Sequence, residues 1–132
     1  MRQKHAIDLD SARKIAAAAE HEALCHALQV VIAVVDDGGH LLYLQRDGAQ
    51  PGSVEVAIGK ARSALLFRRS TRAFEELVES GRQGYLAMPQ VLPLEGGEPL
   101  VYQDEIVGAI GVSGASSTDD GVVARAGAAA VG

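Results

Sequence analysis

Apolar residues near the start of the chain recur at intervals of three and four positions. They are Leu9, Ala12, Ile15, Ala16, Ala19, Ala23 and Leu24. This spacing places them on one face of a helix, and Asp8 or Asp10 can cap its first turn with a carboxylate. The pattern therefore predicts a first helix that ends near Ala27.

A nearly continuous, β-branched run follows at residues 30–35 and is typical of a strand covered on both faces. Residues 36–39, Asp-Asp-Gly-Gly, favour a turn, because Asp tolerates left-handed backbone geometry and Gly adopts positive φ without steric cost. Residues 40–45 then return to an apolar pattern. We therefore predict a β-hairpin.

Two further helices are predicted after a loop rich in Gly and Pro. Ser53 can cap the first of them, and Lys60 falls at the margin of its apolar face. That face consists of Val54, Ala57, Ile58, Ala61, Ala64 and Leu65. Ser70 and Thr71 start a shorter helix, which stops at Gly81.

Three strand-like runs follow, QVLPL, EPLVY and EIVGAIGVSG, and Pro93 and Pro99 push the first two toward edges or bulges. A last helix begins near residues 116–119, where Ser116 and Asp119 form a possible capping box. Hairpin-linked strands pair antiparallel, so this order predicts an α+β protein. We expect a single domain over residues 1–132, with an antiparallel sheet of about five strands flanked by helices.

Composition narrows the function classes. Apolar residues make up 48% of the chain and aromatic residues only 4%, which predicts a tight core of small side chains. The formal net charge of −5 disfavours binding to nucleic-acid phosphate backbones and to anionic membranes. No run approaches the roughly 18 consecutive apolar residues of a membrane span. We therefore expect a soluble, cytoplasmic protein that binds neither nucleic acid nor membrane.

Cysteine and histidine spacing does not indicate a metal centre. The single Cys25 excludes an internal disulfide, and its Ala and Leu neighbours predict a buried, inert thiol. His21 and His26 are five positions apart and do not share a helix face, while His5 lies in a terminus expected to fray. Since no HExxH or similar spacing appears, we expect no dedicated metal site.

Four segments of the chain resemble the GlcG/HbpS-like family, which includes the C-terminal domain of PduO-type proteins. They are AVVDDGGHLLYLQRDGA, GKARSALLFRRST, GGEPLVY and IVGAIGVSG, and the resemblance runs in order from Leu9 to Val131. It implies a profilin-like antiparallel sheet flanked by helices and a homo-oligomer, from dimer to octamer. It also implies binding of haem or another tetrapyrrole, with haem degradation claimed for some members.

One departure from the family pattern falls at residues 46–49. Members usually read Arg-Met-Asp-Gly-Ala, whereas this chain reads Arg-Asp-Gly-Ala and is one residue shorter. The missing residue should tighten or re-aim the loop that leaves the second strand.

The same loop carries the first candidate site residues. Arg46 and Lys60 are two cations from neighbouring elements, suited to clamping a carboxylate or a propionate. Asp47 could orient either cation or accept a proton. The alternative is a plain Arg46-Asp47 turn beside a lysine that extends its ammonium to solvent.

Further candidates lie at the hairpin and at the end of the last strand. His40 could ligate haem iron or move protons, or it could be a surface residue. Ser113 and Gly114 join a strand to a helix N-terminus, where backbone N–H groups could receive an anion, although close packing explains the glycines equally well. The Gly-x-Ser-Gly sequence around Ser113 is not the Gly-x-Ser-x-Gly motif that presents a nucleophilic serine. Phe67 could line an apolar pocket or belong to the core.

Two main functional hypotheses follow. The first is a small-molecule-binding protein for a carboxylated ligand such as haem. Its proposed ligand-binding residues are Arg46, Lys60, His40, Phe67, Ser113 and Gly114. The second is a cofactor-free isomerase, lyase or hydrolase acting on a small carboxylate or carbonyl metabolite, with Lys60 and Asp47 as its catalytic residues. A non-catalytic assembly protein is a third interpretation, suggested by the Ala-rich helices.

Overall fold

A computed structural model describes residues 1–132. The elements are α1 (Leu9–Cys25), β1 (Val31–Asp36), β2 (Leu41–Arg46), α2 (Ser53–Phe67), α3 (Thr71–Glu79), a 3₁₀ turn (Gln83–Leu86), β3 (Gly97–Tyr102), β4 (Glu105–Ser113) and α4 (Ser117–Ala128). The four strands form one sheet in the order β2-β1-β4-β3, with every neighbouring pair antiparallel. The predicted α+β class and the antiparallel hairpin are confirmed.

Side-chain caps explain where three of the helices begin. The side chains of Asp8, Ser70 and Ser116 each accept a hydrogen bond from a backbone N–H of the first helical turn, in α1, α3 and α4 respectively. Ser53 does not have the capping role predicted for it. It is the first residue of α2, and Gly52 occupies the cap position without a side-chain hydrogen bond. None of the helices is long and apolar enough to cross a membrane.

The predicted strand at QVLPL is wrong, and the sheet has four strands instead of about five. Pro93 has no N–H to offer a ladder, and the neighbouring backbone finds partners elsewhere. The N–H of Leu92 donates to Ser63 Oγ on α2 at 3.2 Å, and the N–H of Leu94 donates to the carbonyl of Leu92. The segment therefore runs beside α2 instead of joining the sheet.

The sheet lies between two helical layers. α1 and α4 cover one face in a cluster that includes Ile15, Ile32, Ile110 and Val123. α2 covers the other face through alanines, which confirms the predicted core of small side chains. The approach is close at Gly111, where a Cβ atom would collide with the carbonyl oxygen of Ala57 and lie 2.7 Å from a backbone nitrogen of α2.

The predicted burial of Cys25 is wrong, because its thiol is exposed at the last residue of α1. The buried face of α1 ends with Ala23. At about 100° per residue, a position two residues further on is turned roughly 200° away from that face. Cys25 therefore points away from the core.

Candidate functional site

Lys60 is a buried residue that joins two layers of the protein. Its side chain is 2% exposed, and its Nζ donates to the carbonyl of Val112 and to Asp120 Oδ2, both at 2.9 Å. A Cβ atom on Gly96 would lie 2.9 Å from this nitrogen, so the absence of a side chain there makes room for the ammonium. Lys60 therefore neither extends to solvent nor faces an open cavity.

Asp120, near the start of α4, is the carboxylate partner of Lys60. Its Oδ1 accepts a hydrogen bond from the backbone N–H of Ala115 at 3.0 Å. Burial raises the pKa of the Asp120 carboxyl, and the hydrogen bond and charge of Lys60 oppose that rise. The ion pair of Lys60 and Asp120 thus contacts the backbone on both sides of the Ser113–Gly114 corner, at Val112 and Ala115. Every buried side-chain polar atom has a partner. The structure therefore places Lys60 near this corner, where its ammonium forms an internal ion pair with Asp120.

The structure does not form the predicted clamp of Arg46 and Lys60. Arg46 pairs with Val31 across the sheet, and Val31 pairs with Ser113, so two strand spacings, about 10 Å, separate Arg46 from that corner. The exposed Arg46 donates from Nη1 to the carbonyl of Ala49 at 3.1 Å. The prediction fails because Lys60 already has an internal carboxylate partner.

The other predicted residues lie apart from Lys60. Asp47 is exposed and lines a separate cleft of about 160 Å³, so it does not form an acid–base pair with the sealed ammonium. His40 is exposed at the hairpin, where its backbone N–H donates to Asp36 Oδ1 at 3.0 Å. Phe67 is half-buried and packs edge-on against Phe74, with ring centroids 5.6 Å apart.

A larger cleft, of about 300 Å³, lies where the two ends of the chain meet, and we call it the N-terminal cleft. Seven of its eleven lining residues are apolar, and its polar groups come from His5, Ser11, Lys14 and Tyr102. The full lining is His5, Ala6, Ile7, Ser11, Lys14, Ile15, Tyr102, Val107, Ala130, Val131 and Gly132. Small-molecule sites usually combine apolar and aromatic side chains with a few polar groups that orient the ligand.

His5 is the best-placed imidazole in this cleft. Its Nδ1 lies 3.0 Å from Glu105 Oε2, and its backbone N–H donates to the same oxygen at 2.8 Å. Its ring stands edge-on to Tyr102, with centroids 5.2 Å apart. A carboxylate at Nδ1 favours the tautomer protonated there, which leaves the Nε2 lone pair available to a ligand. These contacts join His5 to Glu105, the first residue of β4.

Contacts of Ile7 and Lys4 also hold the N-terminal segment in place. The N–H of Ile7 donates to the carbonyl of Val107 at 3.2 Å, and its side chain packs on Gly108, where a Cβ atom would lie 2.9 Å from it. Lys4 pairs with Asp37 at 2.8 Å. The sequence offered one signal for this docking, since Ile7 is apolar and directly precedes the helix cap, as in a hydrophobic staple.

We call the paired hydrogen bonds between His5 and Glu105 the His5 clasp. Replacing Glu105 with glutamine should make this contact independent of pH in the acid range. Hydrogen bonds from the backbone and ring of His5 lower the pKa of Glu105 from its ordinary value of 4.5. The clasp is therefore intact above that value and weakens as pH falls through the lowered one. In the wild type we expect an acid-induced shift of the His5 amide resonance with a midpoint below 4.5, measured by NMR titration.

In Glu105→Gln this transition should disappear, because an amide does not titrate. Asp104→Asn is the matched control, since Asp104 is exposed and has no salt-bridge partner. A transition that persists unchanged in Glu105→Gln would show that Glu105 is not the titrating group.

The fold defines a profilin-like α+β protein with a cleft between its two chain ends. The family described as "Haem degrading protein HbpS-like" matches residues 7–129, and the chain belongs to this family. Protein GlcG of Escherichia coli (strain K12) is 43% identical over 114 residues, covering 86% of this chain and 85% of GlcG.

Solved structures agree with this assignment. A double mutant of HbpS from Streptomyces reticuli has a TM-score of 0.89 and 35% identity, covering 100% of this chain and 91% of that one. A complex of PduOC with haem has a TM-score of 0.83 and 26% identity, covering 96% of this chain and 95% of that one. These matches confirm the resemblance seen in the sequence.

Proposed function

We propose that this protein binds a carboxylated, largely apolar small molecule in the N-terminal cleft, and that haem is the first ligand to test. The observation that carries the proposal is the geometry of His5. Glu105 occupies its Nδ1 at 3.0 Å, and its Nε2 has no protein partner. A histidine oriented by a carboxylate is the usual arrangement for an imidazole that ligates a metal.

The rest of the cleft suits an amphipathic ligand. Ile7, Ile15 and Val107 supply apolar surface, while Lys14 supplies the only cation among the lining residues. Lys14 pairs with Asp10 at 3.3 Å, but both side chains are 75% exposed. Because exposed ion pairs of this kind contribute little free energy, a ligand carboxylate could replace Asp10 as the partner of Lys14.

The lining residues include the side-chain types that haem needs, an imidazole for the iron and a cation for a propionate. The size of the cleft limits how much of the haem it can enclose. A volume of about 300 Å³ is at the lower end of the range for ligand pockets, so a macrocycle would extend beyond the cleft. His5 would hold the iron and Lys14 a propionate. Bound haem would supply a redox-active iron that can react with oxygen or peroxide.

The relatives support this choice of ligand class. The family carries haem degradation in its description, and PduOC has been crystallised with haem. Lys60 is buried and Asp47 lines a different cleft, so the two residues named for the enzyme hypothesis do not form a common site. Homo-oligomeric assembly and a cytoplasmic location stay predictions from the sequence.

Haem binding should depend on His5. We expect stoichiometric hemin to give a shifted Soret band with the wild type, and His5→Ala to weaken binding at least about tenfold, or ~1.4 kcal/mol. The measurement is an absorbance titration of the full chain. His5 is exposed, so the substitution should leave the circular dichroism spectrum unchanged.

His40→Ala is the matched control, because it removes another exposed histidine at the hairpin where the sequence placed the ligand. We expect it to bind hemin as the wild type does. Loss of binding in His40→Ala with no effect of His5→Ala would return the site to the hairpin and reject the N-terminal cleft. No spectral change in the wild type would reject haem as the ligand.

A further inference from the structure

The His5 clasp has the form of a general base. Glu105 Oε2 accepts hydrogen bonds from both the ring and the backbone N–H of His5, at 3.0 and 2.8 Å, so the imidazole is held at two points. Its Nε2 has no protein partner. A histidine held by a carboxylate at one ring nitrogen can take a proton from a bound molecule at the other. The lone pair proposed above to bind iron is therefore also suited to accept a proton.

Tyr102 places a hydrogen-bond donor in the same cleft. Its ring stands edge-on to that of His5, with centroids 5.2 Å apart, and both side chains line the N-terminal cleft. The phenol oxygen accepts a hydrogen bond from Gln103 Nε2 at 3.3 Å, but its own hydrogen has no acceptor in the protein. A phenol can donate that hydrogen to a ligand oxygen. A proton acceptor and a proton donor thus share one small cavity.

The remaining walls limit the kind of molecule that can lie between these two groups. Lys14 offers a cation for a carboxylate, and Ile7, Ile15 and Val107 offer an apolar surface. A volume of about 300 Å³ suits a small ring or a short chain better than a macrocycle. The matching chemistry is a carboxylate, a short apolar group and a carbonyl whose neighbouring carbon carries a removable hydrogen, as in a 2-oxo acid.

We propose that the N-terminal cleft interconverts the keto and enol forms of such a 2-oxo acid, with His5 and Tyr102 as catalytic residues and Glu105 as a positioning residue. His5 Nε2 takes a proton from the carbon beside the carbonyl, and the electron pair of that C–H bond forms the C=C bond of the enol. The carbonyl oxygen takes the proton of the Tyr102 hydroxyl. The imidazolium then gives one proton to water and the phenolate takes one from it, so no oxidant or reductant is needed.

This inference rests on the proposed function in one respect, since it requires a carboxylated small molecule to bind in this cleft. It does not require that molecule to be haem. It also gives the isomerase hypothesis drawn from the sequence a base that the sequence did not identify, because His5 and Glu105 are 100 residues apart.

The test follows exchange of the methylene hydrogens of phenylpyruvate in deuterium oxide by proton NMR, using the full chain without a tag. We expect the wild type to accelerate the exchange above the rate in buffer, and His5→Ala to lose at least about tenfold of that rate. Tyr102→Phe, which removes only the hydroxyl, should also lower it. His26→Ala is the matched control, because His26 is another exposed histidine 3.0 Å from a carboxylate but lies outside the cleft. It should support exchange at the wild-type rate.

Glu105→Gln tests the positioning role separately. The amide keeps the size of the side chain but removes the charge that favours the tautomer with a free Nε2. We expect kcat to fall about tenfold while KM for phenylpyruvate stays unchanged, since the carboxylate contacts His5 and not the ligand. Asp104→Asn, at the neighbouring exposed carboxylate, should alter neither constant. An unchanged kcat in Glu105→Gln would reject the positioning role.

Two results would overturn the proposal as a whole. One is a wild type that accelerates exchange of neither phenylpyruvate nor the smaller 2-oxobutyrate, and the other is an equal rate in the wild type and His5→Ala. His5 is exposed, so loss of fold would not explain a lower rate. Hemin binding that depends on His5, with no exchange of either probe, would reject the base and leave the proposed function in place.

Discussion

Replacing Lys60 with methionine is expected to lower the free energy of unfolding by about 3–5 kcal/mol. The substitution keeps a side chain of similar length in the core but leaves the Asp120 carboxylate buried without its cation. Asp120 would retain only the N–H of Ala115 as a partner. Removing one member of a buried ion pair is costly because the remaining charge stays desolvated. Urea unfolding monitored by circular dichroism measures the change.

Two further variants separate the ion pair from simple loss of packing. Lys60→Met combined with Asp120→Leu should recover much of the lost stability, since an apolar pair can replace a buried ion pair at little cost. Arg46→Met removes the same charge from an exposed position and should unfold as the wild type does. A double variant as unstable as Lys60→Met alone would show that the loss does not come from the unpaired carboxylate.

The effect of Lys60→Met should also depend on pH. The folded pKa of Asp120 is raised above its ordinary value of 3.8, so the folded protein holds that proton more tightly than the unfolded chain. Stability therefore falls as pH rises through the window between the two values. Without Lys60 the window extends upward, and the deficit relative to the wild type should be smaller near about pH 4 than near about pH 7.

A stable double variant would show that the fold does not require the charge of Lys60. A catalytic lysine cannot be replaced by methionine without loss of turnover, whereas a structural ion pair can be exchanged for an apolar one. The folded double variant is therefore the form in which to assay turnover, because a catalytic Lys60 requires loss of activity in a protein that keeps its fold.

Replacing Gly111 with alanine is expected to lower the free energy of unfolding by at least about 3 kcal/mol, at the upper end of the range for overpacking. The added Cβ atom would collide with the carbonyl oxygen of Ala57 and lie 2.7 Å from the backbone nitrogen of Ala61. Both atoms belong to the backbone of α2, so no side-chain rotation can relieve the contact. The whole helix must move away from β4 to accept a single methyl group.

Gly84→Ala is the matched control for this substitution. It adds the same methyl group at a position with no atom within 4 Å and an ordinary φ, in the 3₁₀ turn. Its unfolding curve should overlay that of the wild type. A Gly111→Ala protein that unfolds at the wild-type urea concentration would mean that α2 is not packed as closely on the sheet as the structure shows.

The success of the helix predictions has a local cause. Asp8, Ser70 and Ser116 cap their helices with their own side chains, so residues within one turn determine where each helix begins. The strand predicted at QVLPL was wrong because the composition is typical of a strand, whereas the backbone of this segment bonds to α2 and not to the sheet. Strand pairing is a long-range property, and an apolar run does not contain it.

The candidate site was harder to predict for the same reason. Lys60 lies beside the backbone that precedes the Ser113–Gly114 corner, but its carboxylate partner is 60 residues away in sequence. The clasp between His5 and Glu105 spans 100 residues. Spacing within a helix or strand cannot reveal such contacts.

The position of the N-terminal cleft has a practical consequence for work on the isolated protein. Residues 5–7 and residues 130–132 both line it, so a purification tag at either end would begin beside the proposed pocket. A polyhistidine tag there would offer imidazoles of its own to hemin. Binding measurements should therefore use protein from which the tag has been cleaved.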